Sequence, residues 1–173
     1  GGGDVSTALK SIMVGVVVER YKATSAWIDY IWRPVAVLPG EPDAKPWTML
    51  GETKESATFY AGPALIELHR TETTNYRDNL FSGSPGLWVV LRQTESEPPY
   101  KVFTVTADPA EGEAMTEAGN DLVEQVTMPE SIREQIAAFV AEYHVEREFI
   151  KRKRDRADPE ALARGNGKRE DLE

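Results

Sequence analysis

Side chains that could act on a small anion lie together in one short stretch of the sequence. His69 and Arg70 end a predicted strand, and Tyr76 and Arg77 follow on the next short element. An imidazole can act as a general base near neutral pH, and a guanidinium can hold a carboxylate or a phosphate. The same residues could equally form a hydrogen-bonded corner between strand and helix. They are candidates for ligand binding, and no residue is assigned a catalytic role.

The composition gives no support to metal or cofactor chemistry. The chain has no cysteine and 2 histidines, which excludes disulfides, iron–sulfur clusters and thiolate zinc sites. The glycine-rich phosphate-binding patterns and the H-E-x-x-H zinc motif do not occur in the sequence. The second histidine, His144, is expected at an exposed helix end. We therefore expect no metal and no cofactor, and a non-enzymatic protein is favoured over an enzyme.

Two groups of residues are candidates for binding a partner. Trp27, Trp32 and Trp47 lie close together in the sequence, and exposed aromatic residues often anchor protein interfaces, although a Trp on a strand is more often part of the core. A basic run after Ile150 has the composition of a docking segment or of a solubilising tail. Its basic members are Lys151, Arg152, Lys153, Arg154 and Arg156.

The overall charge and hydropathy limit the other partners. The chain has 29 acidic and 20 basic side chains and a formal net charge of −9. Such an acidic body repels phosphate backbones, so nucleic acid is a disfavoured partner. The longest apolar run, residues 12–18, is far below the ~20 residues that cross a bilayer. With no recognisable secretory signal, we expect a soluble, cytoplasmic protein that does not bind membranes.

The elements that would position these residues are mostly strands. Residues 12–20 and 27–38 are rich in β-branched and aromatic side chains, and their short connector predicts antiparallel pairing. Pro34 has no backbone N–H to donate, which predicts that it lies at a sheet edge or at a bulge. Further strands are predicted at 47–50, 57–69 with an interruption at Gly62, 87–91, 100–107 and 122–126, and the pair 87–91 and 100–107 is expected to form a hairpin.

Three helices are predicted between and after these strands. The first covers residues 71–81, and the second begins after the capping residue Asp108 and ends near Gly119. The third begins near Pro129 and carries an apolar stripe: Ile132, Ile136, Phe139, Val140 and Tyr143. We therefore predict an α+β fold, mainly an antiparallel twisted sheet or small open barrel covered by a C-terminal amphipathic helix.

The domain organisation follows from composition. Residues 1–11 are predicted to be a flexible leader, residues 12–150 a single α+β domain, and residues 151–173 a basic tail that is mobile or ordered by a partner. Several strands are hydrophobic on both faces. A sheet covered on both sides, a barrel or a homodimer interface would each explain that pattern.

Seven separated blocks resemble an uncharacterised bacterial family, a domain of unknown function. The blocks are 14–20 (VGVVVER), 32–40 (WRPVAVLPG), 60–63 (YAGP), 67–70 with 76–80 (ELHR and YRDNL), 87–92 (LWVVLR), 106–113 (TADPAEGE) and 151–156 (KRKRDR). Members of that family are often encoded beside molybdenum-dependent formate dehydrogenase subunits and their maturation factors. The resemblance implies no catalytic residue.

The resemblance and the missing catalytic motifs lead to one functional expectation. We expect a non-enzymatic accessory protein that assists assembly or maturation of a molybdenum-dependent formate dehydrogenase. It would contact dehydrogenase subunits or maturation factors through its aromatic residues and its basic tail. The alternative is a protein or enzyme that binds a small anionic metabolite near His69 and Arg77. Nucleic-acid binding through residues 151–156 ranks last.

Overall fold

The computed structural model of the chain describes residues 7–24 and 29–156, with side chains as far as His144. The elements are β1 (Lys10–Lys22), β2 (Tyr30–Pro39), β3 (Thr48–Glu52), β4 (Ser56–Leu68), a 3₁₀ turn (Arg70–Glu72), α1 (Thr73–Leu80), β5 (Gly86–Gln93), β6 (Tyr100–Thr106), α2 (Pro109–Ala118), β7 (Leu122–Thr127) and α3 (Glu130–Arg156).

The strands form two antiparallel sheets. The first has four strands in the order β2-β1-β4-β3, and the second has three in the order β6-β5-β7. The predicted hairpin of β5 and β6 and the antiparallel pairing of β1 with β2 are both confirmed. Within the described residues the sheets do not close into a barrel. The predicted α+β class with mainly antiparallel strands is confirmed.

The core lies between the sheets and the long helix. Val14, Val16 and Val18 alternate along β1, as side chains on one face of a strand must, and all are completely buried. They share one hydrophobic core with Leu87 and Val89 of β5. The predicted stripe of α3 belongs to the same core: Ile132, Ile136, Phe139 and Val140 are buried, and Tyr143 packs against them. This helix therefore covers the core, as predicted.

Part of the opposite face of the four-stranded sheet is apolar and exposed. Met13 pairs with Leu65 across β1 and β4, and these side chains are 38% and 45% exposed. Leu38 on β2 is 36% exposed. This face explains part of the two-sided hydrophobicity of the strands, and the homodimer stays a prediction.

Two of the bulges in the four-stranded sheet lie where β1 pairs with β2 and with β4. The register of β1 with β2 shifts between Val17 and Val18, whose partners are Ala36 and Pro34. Pro34 thus lies at a bulge on an edge strand. Its missing amide donor predicted an edge or a bulge, and both are confirmed. The predicted interruption at Gly62 and Pro63 was wrong, because β4 continues through both residues. The irregularity there is a φ of 142° at Gly62 and a register shift with β1 beside it.

The ends of the predicted domain differ from the observed elements. β1 begins at Lys10, within the predicted leader 1–11, and α3 continues to Arg156, so residues 151–156 of the predicted tail are helical. Residues 157–173 lie outside the described residues. No helix in the part of the chain that the structure describes is long and apolar enough to span a bilayer.

Candidate functional site

Five aromatic side chains gather near the end of the four-stranded sheet where β1 leads into β2. Together with Arg20 we call them the aromatic surface: Tyr30, Trp32, Trp47, Phe59 and Tyr100. Trp32 lies at the centre, because its ring centroid is 5.8 Å from that of Trp47, 6.0 Å from Phe59 and 6.3 Å from Tyr100.

Strand register explains why these side chains meet. Arg20 on β1 is paired with Trp32 on β2, and Val18 on β1 is paired with Phe59 on β4. Residues two apart on a strand share a face, so Arg20 follows the buried series of Val14, Val16 and Val18. The aromatic surface is therefore the solvent-facing end of the core, and Trp32, Trp47 and Tyr100 are half-buried against it.

Trp47 has an unusual backbone conformation. Its φ is 70°, and among the described residues it is the only non-glycine residue with a positive φ. This region costs an L-residue roughly 1–2 kcal/mol, and such strain is concentrated at functional sites. The backbone N–H of Trp47 donates to the carbonyl of Tyr60, and its ring lies 6.0 Å from that of Phe59. The fold thus holds this indole in place against a local preference.

Arg20 lies among the aromatic rings without an ion-pair partner among the described residues. Its guanidinium carbon is 4.3 Å from the ring centroid of Tyr30, 5.3 Å from Phe59 and 5.7 Å from Trp32. Its Nε atom is buried and has no hydrogen-bond partner. Cation–π contacts contribute about 0.5–2 kcal/mol each, but they do not satisfy an N–H donor. Arg20 was not among the sequence candidates, although it continues the buried alternation of β1.

The predicted anion site around His69 is an internally bonded corner. The backbone N–H of His69 donates to the hydroxyl of Tyr76 at 2.9 Å. Tyr76 is 2% exposed, and this burial raises its pKa to about 12. The imidazole Nδ1 lies 3.1 Å from the Thr7 hydroxyl, and Nε2 lies 3.7 Å from a carboxylate oxygen of Glu67. We call these residues, with Arg70 and Arg77, the His69 corner.

The two arginines of the corner contact different rings. The guanidinium carbon of Arg70 lies 5.8 Å from the ring centroid of Tyr143 on α3. That of Arg77 lies 5.6 Å from the ring centroid of Phe81, which is 76% exposed. The structure thus brings His69 and Tyr76 together, whereas Arg70 and Arg77 are each stacked on a separate aromatic residue.

His144 corrects one expectation. It is half-buried within α3, and its Nδ1 lies 3.3 Å from the hydroxyl of Thr73 on α1. The prediction of an exposed helix-end residue was wrong because α3 continues to Arg156 and packs against α1. Among the described residues, no group of three or more His, Cys, Asp or Glu side chains is arranged to hold a metal ion.

The partner-binding candidates are only partly described. Trp32 and Trp47 form the centre of the aromatic surface, whereas Trp27 lies outside the described residues. The basic run lies on the last turns of α3, and its side chains are outside the described set. Its members are Lys151, Arg152, Lys153, Arg154 and Arg156.

Comparison with known families gives one match. The model of the family described as "Protein of unknown function (DUF3305)" matches residues 13–153, a range that contains the aromatic surface and, apart from Thr7, the His69 corner. Searches of curated proteins and of solved structures found no match. The predicted resemblance to an uncharacterised family is confirmed in this form, and the chain belongs to the DUF3305 family.

Proposed function

We propose that this protein is a non-enzymatic accessory protein that binds a protein client through the aromatic surface. The observation that carries the proposal is that one aromatic cluster holds both a strained Trp47 and an Arg20 that has no carboxylate partner in the described chain. Trp, Tyr and Arg are the residues that most often dominate the energy of protein interfaces. In the aromatic surface, Trp32, Trp47 and Tyr100 pack against the hydrophobic core and are half-buried.

Exposed apolar residues beside the aromatic surface support the same proposal. Tyr30 is 40% exposed, and the neighbouring edge strand β3 presents Met49 and Leu50 at 45% and 53% exposure. Every residue of β3 is exposed. Contiguous exposed apolar surface of this kind marks interaction sites in many proteins, so a client could cover β3 together with the rings.

The identity of the client is proposed from the family resemblance. Members of that uncharacterised family are often encoded beside molybdenum-dependent formate dehydrogenase subunits and their maturation factors. We therefore take a dehydrogenase subunit or a maturation factor as the client and an assembly or maturation step in the cytoplasm as the role. The basic helical end at residues 151–156 is proposed as a second contact.

Affinity capture from a lysate of the native host tests this proposal. The full chain, a chain truncated after Ile150 and Trp47→Gly serve as baits, with Leu65→Ser on the opposite exposed face as the matched control. We expect the full chain and Leu65→Ser to retain dehydrogenase subunits or maturation factors, and the other two to retain less. Equal retention by Trp47→Gly, or no such protein from cells that express the dehydrogenase, would contradict the proposal.

The second candidate function is binding of a small anionic metabolite at the His69 corner. The exposed Arg77, whose guanidinium carbon lies 5.6 Å from the ring centroid of Phe81, favours it, because a guanidinium can hold a carboxylate or a phosphate. A ligand present at ~100 times its Kd adds about 2.7 kcal/mol to stability. A screen of carboxylates and phosphates should then raise the Tm of the full chain but not that of Arg77→Ala, and a screen without shifts would reject this candidate.

A further inference from the structure

We propose that Arg20 recognises a carboxylate of the client, carried by an aspartate or glutamate within an apolar segment. This inference rests on the proposed function, because it specifies the chemistry of the segment that the aromatic surface binds. It adds a ligand class and a recognition residue to a surface otherwise defined only by its rings.

The first support is the contrast between Arg20 and other arginines of the chain. Arg33 lies 3.5 Å from a Glu19 oxygen, Arg92 lies 3.1 Å from Asp121, and Arg133 is paired with Glu130. Arg20 has no carboxylate partner among the described residues, although the chain has 29 acidic side chains. A buried donor without a hydrogen bond destabilises the folded state and is rare in native proteins. The positive charge of Arg20 is therefore not neutralised by a carboxylate of the described chain, and an external carboxylate would supply that partner.

The second support is the way the guanidinium is held. Three ring centroids lie within 6 Å of its guanidinium carbon, and a guanidinium stacked on a ring keeps N–H groups at its edge for hydrogen bonds. Only Nε is both buried and unpaired, so the two Nη nitrogens remain accessible from solvent. A carboxylate approaches a guanidinium along this edge and accepts two parallel hydrogen bonds. The rings thus restrict the positions that the Arg20 side chain can adopt.

The third support concerns the kind of molecule that carries the carboxylate. The formal net charge of −9 disfavours long-range attraction of anions. Binding must therefore gain from short-range contacts, and the half-buried rings of Trp32, Trp47 and Tyr100 offer apolar ones. A free carboxylate ion would leave these rings uncovered. A peptide segment with an acidic residue between apolar neighbours satisfies Arg20 and covers the rings.

The test uses two fluorescent peptide pools that differ at one position. Both contain Leu and Trp around a central residue, which is Glu in one pool and Gln in the other. We expect the folded full chain to bind the Glu pool roughly tenfold more tightly. Arg20→Gln should abolish this preference, and Arg33→Gln, at the paired arginine of the neighbouring strand, should keep it. The NMR signal of the Arg20 Nε–H, assigned with Arg20→Lys, should change position with the Glu pool, because Nε shares the guanidinium with the Nη groups that bind the carboxylate.

The other outcomes overturn the inference, and they are distinguishable from failure of the proposed function. If both pools bind equally and Trp47→Gly weakens both, the aromatic surface binds protein but Arg20 does not select a carboxylate. If sodium acetate alone shifts the Nε–H signal as far as the Glu pool does, the site binds small anions. If the Glu preference persists in Arg20→Gln, the assignment to Arg20 alone is wrong, whereas binding of neither pool would contradict the proposed function together with this inference.

Discussion

The aromatic surface and the His69 corner contain similar residues but differ in how their polar groups are satisfied. Both place arginines against aromatic rings. In the corner, the backbone N–H of His69 is bonded to Tyr76 and its imidazole lies beside Thr7 and Glu67. In the aromatic surface, the Nε of Arg20 has no acceptor and Trp47 is strained. Groups satisfied inside the chain stabilise a fold, whereas an arginine without a carboxylate partner beside half-buried rings can bind a partner.

The largest effect is expected next to the corner, at Asn79. This buried amide donates to the carbonyls of Gly86 and Ala107 at 2.8 and 3.0 Å, and it accepts from the Gly86 N–H at 3.0 Å. Asn79→Ala leaves all three backbone groups unpaired, so we expect a loss of about 3 kcal/mol or more in unfolding free energy by urea titration. The exposed neighbour Asp78→Ala is the control. A loss below about 1 kcal/mol would contradict a structural role for this region.

Tyr76→Phe is the next largest change. It removes the acceptor of the His69 N–H, and we expect a loss of about 1–2 kcal/mol near neutral pH. The folded-state pKa of Tyr76 is raised from 10.0 to about 12 by burial. Its stabilising contribution is therefore complete below pH 10 and is lost as the pH rises from 10 towards about 12.

Urea unfolding at about pH 9 and about pH 11 measures this dependence. The decrease in unfolding free energy between the two values should be smaller in Tyr76→Phe than in the unmodified chain. An identical decrease in the two proteins would show that Tyr76 is not the buried hydroxyl that titrates. The polar groups of the His69 corner would then be less completely buried and bonded than the contrast with the aromatic surface requires.

A pair of substitutions at Trp47 tests the strain. Both Trp47→Gly and Trp47→Ala remove the indole, but only glycine adopts a φ of 70° without a steric penalty. We expect Trp47→Gly to be more stable than Trp47→Ala by about 1 kcal/mol in urea unfolding. The reverse order would mean that the backbone at Trp47 is not strained.

The smallest effect on stability is expected at Arg77. Its side chain is exposed and stacked on the exposed Phe81, so Arg77→Ala should change the unfolding free energy by no more than about 0.5 kcal/mol. Client capture should also be unchanged. Loss of capture in Arg77→Ala with retention in Trp47→Gly would reverse the roles of the two regions.

Sequence patterns predicted the elements better than the site. β-branched runs located the strands, and the Asp108 cap of α2 formed as expected, with its carboxylate accepting from the N–H of Ala110 and Glu111. Trp32 and Trp47 were recognisable because tryptophan is scarce and clustered here. Arg20 was not recognisable as a site residue, because a charged residue near a strand end is usually solvated. Its surroundings depend on β1, β2 and β4 aligning across two bulges, which local sequence does not encode.

Site-specific photocrosslinking in cells of the native host tests most directly whether the aromatic surface binds the client. A benzophenone amino acid replaces Tyr30 in the aromatic surface or Phe81 beside the His69 corner, two aromatic positions that are 40% and 76% exposed. We predict that the probe at position 30 crosslinks a formate dehydrogenase subunit or maturation factor and that the probe at position 81 does not. A crosslink to such a protein from position 81 and none from position 30 would contradict client binding at the aromatic surface.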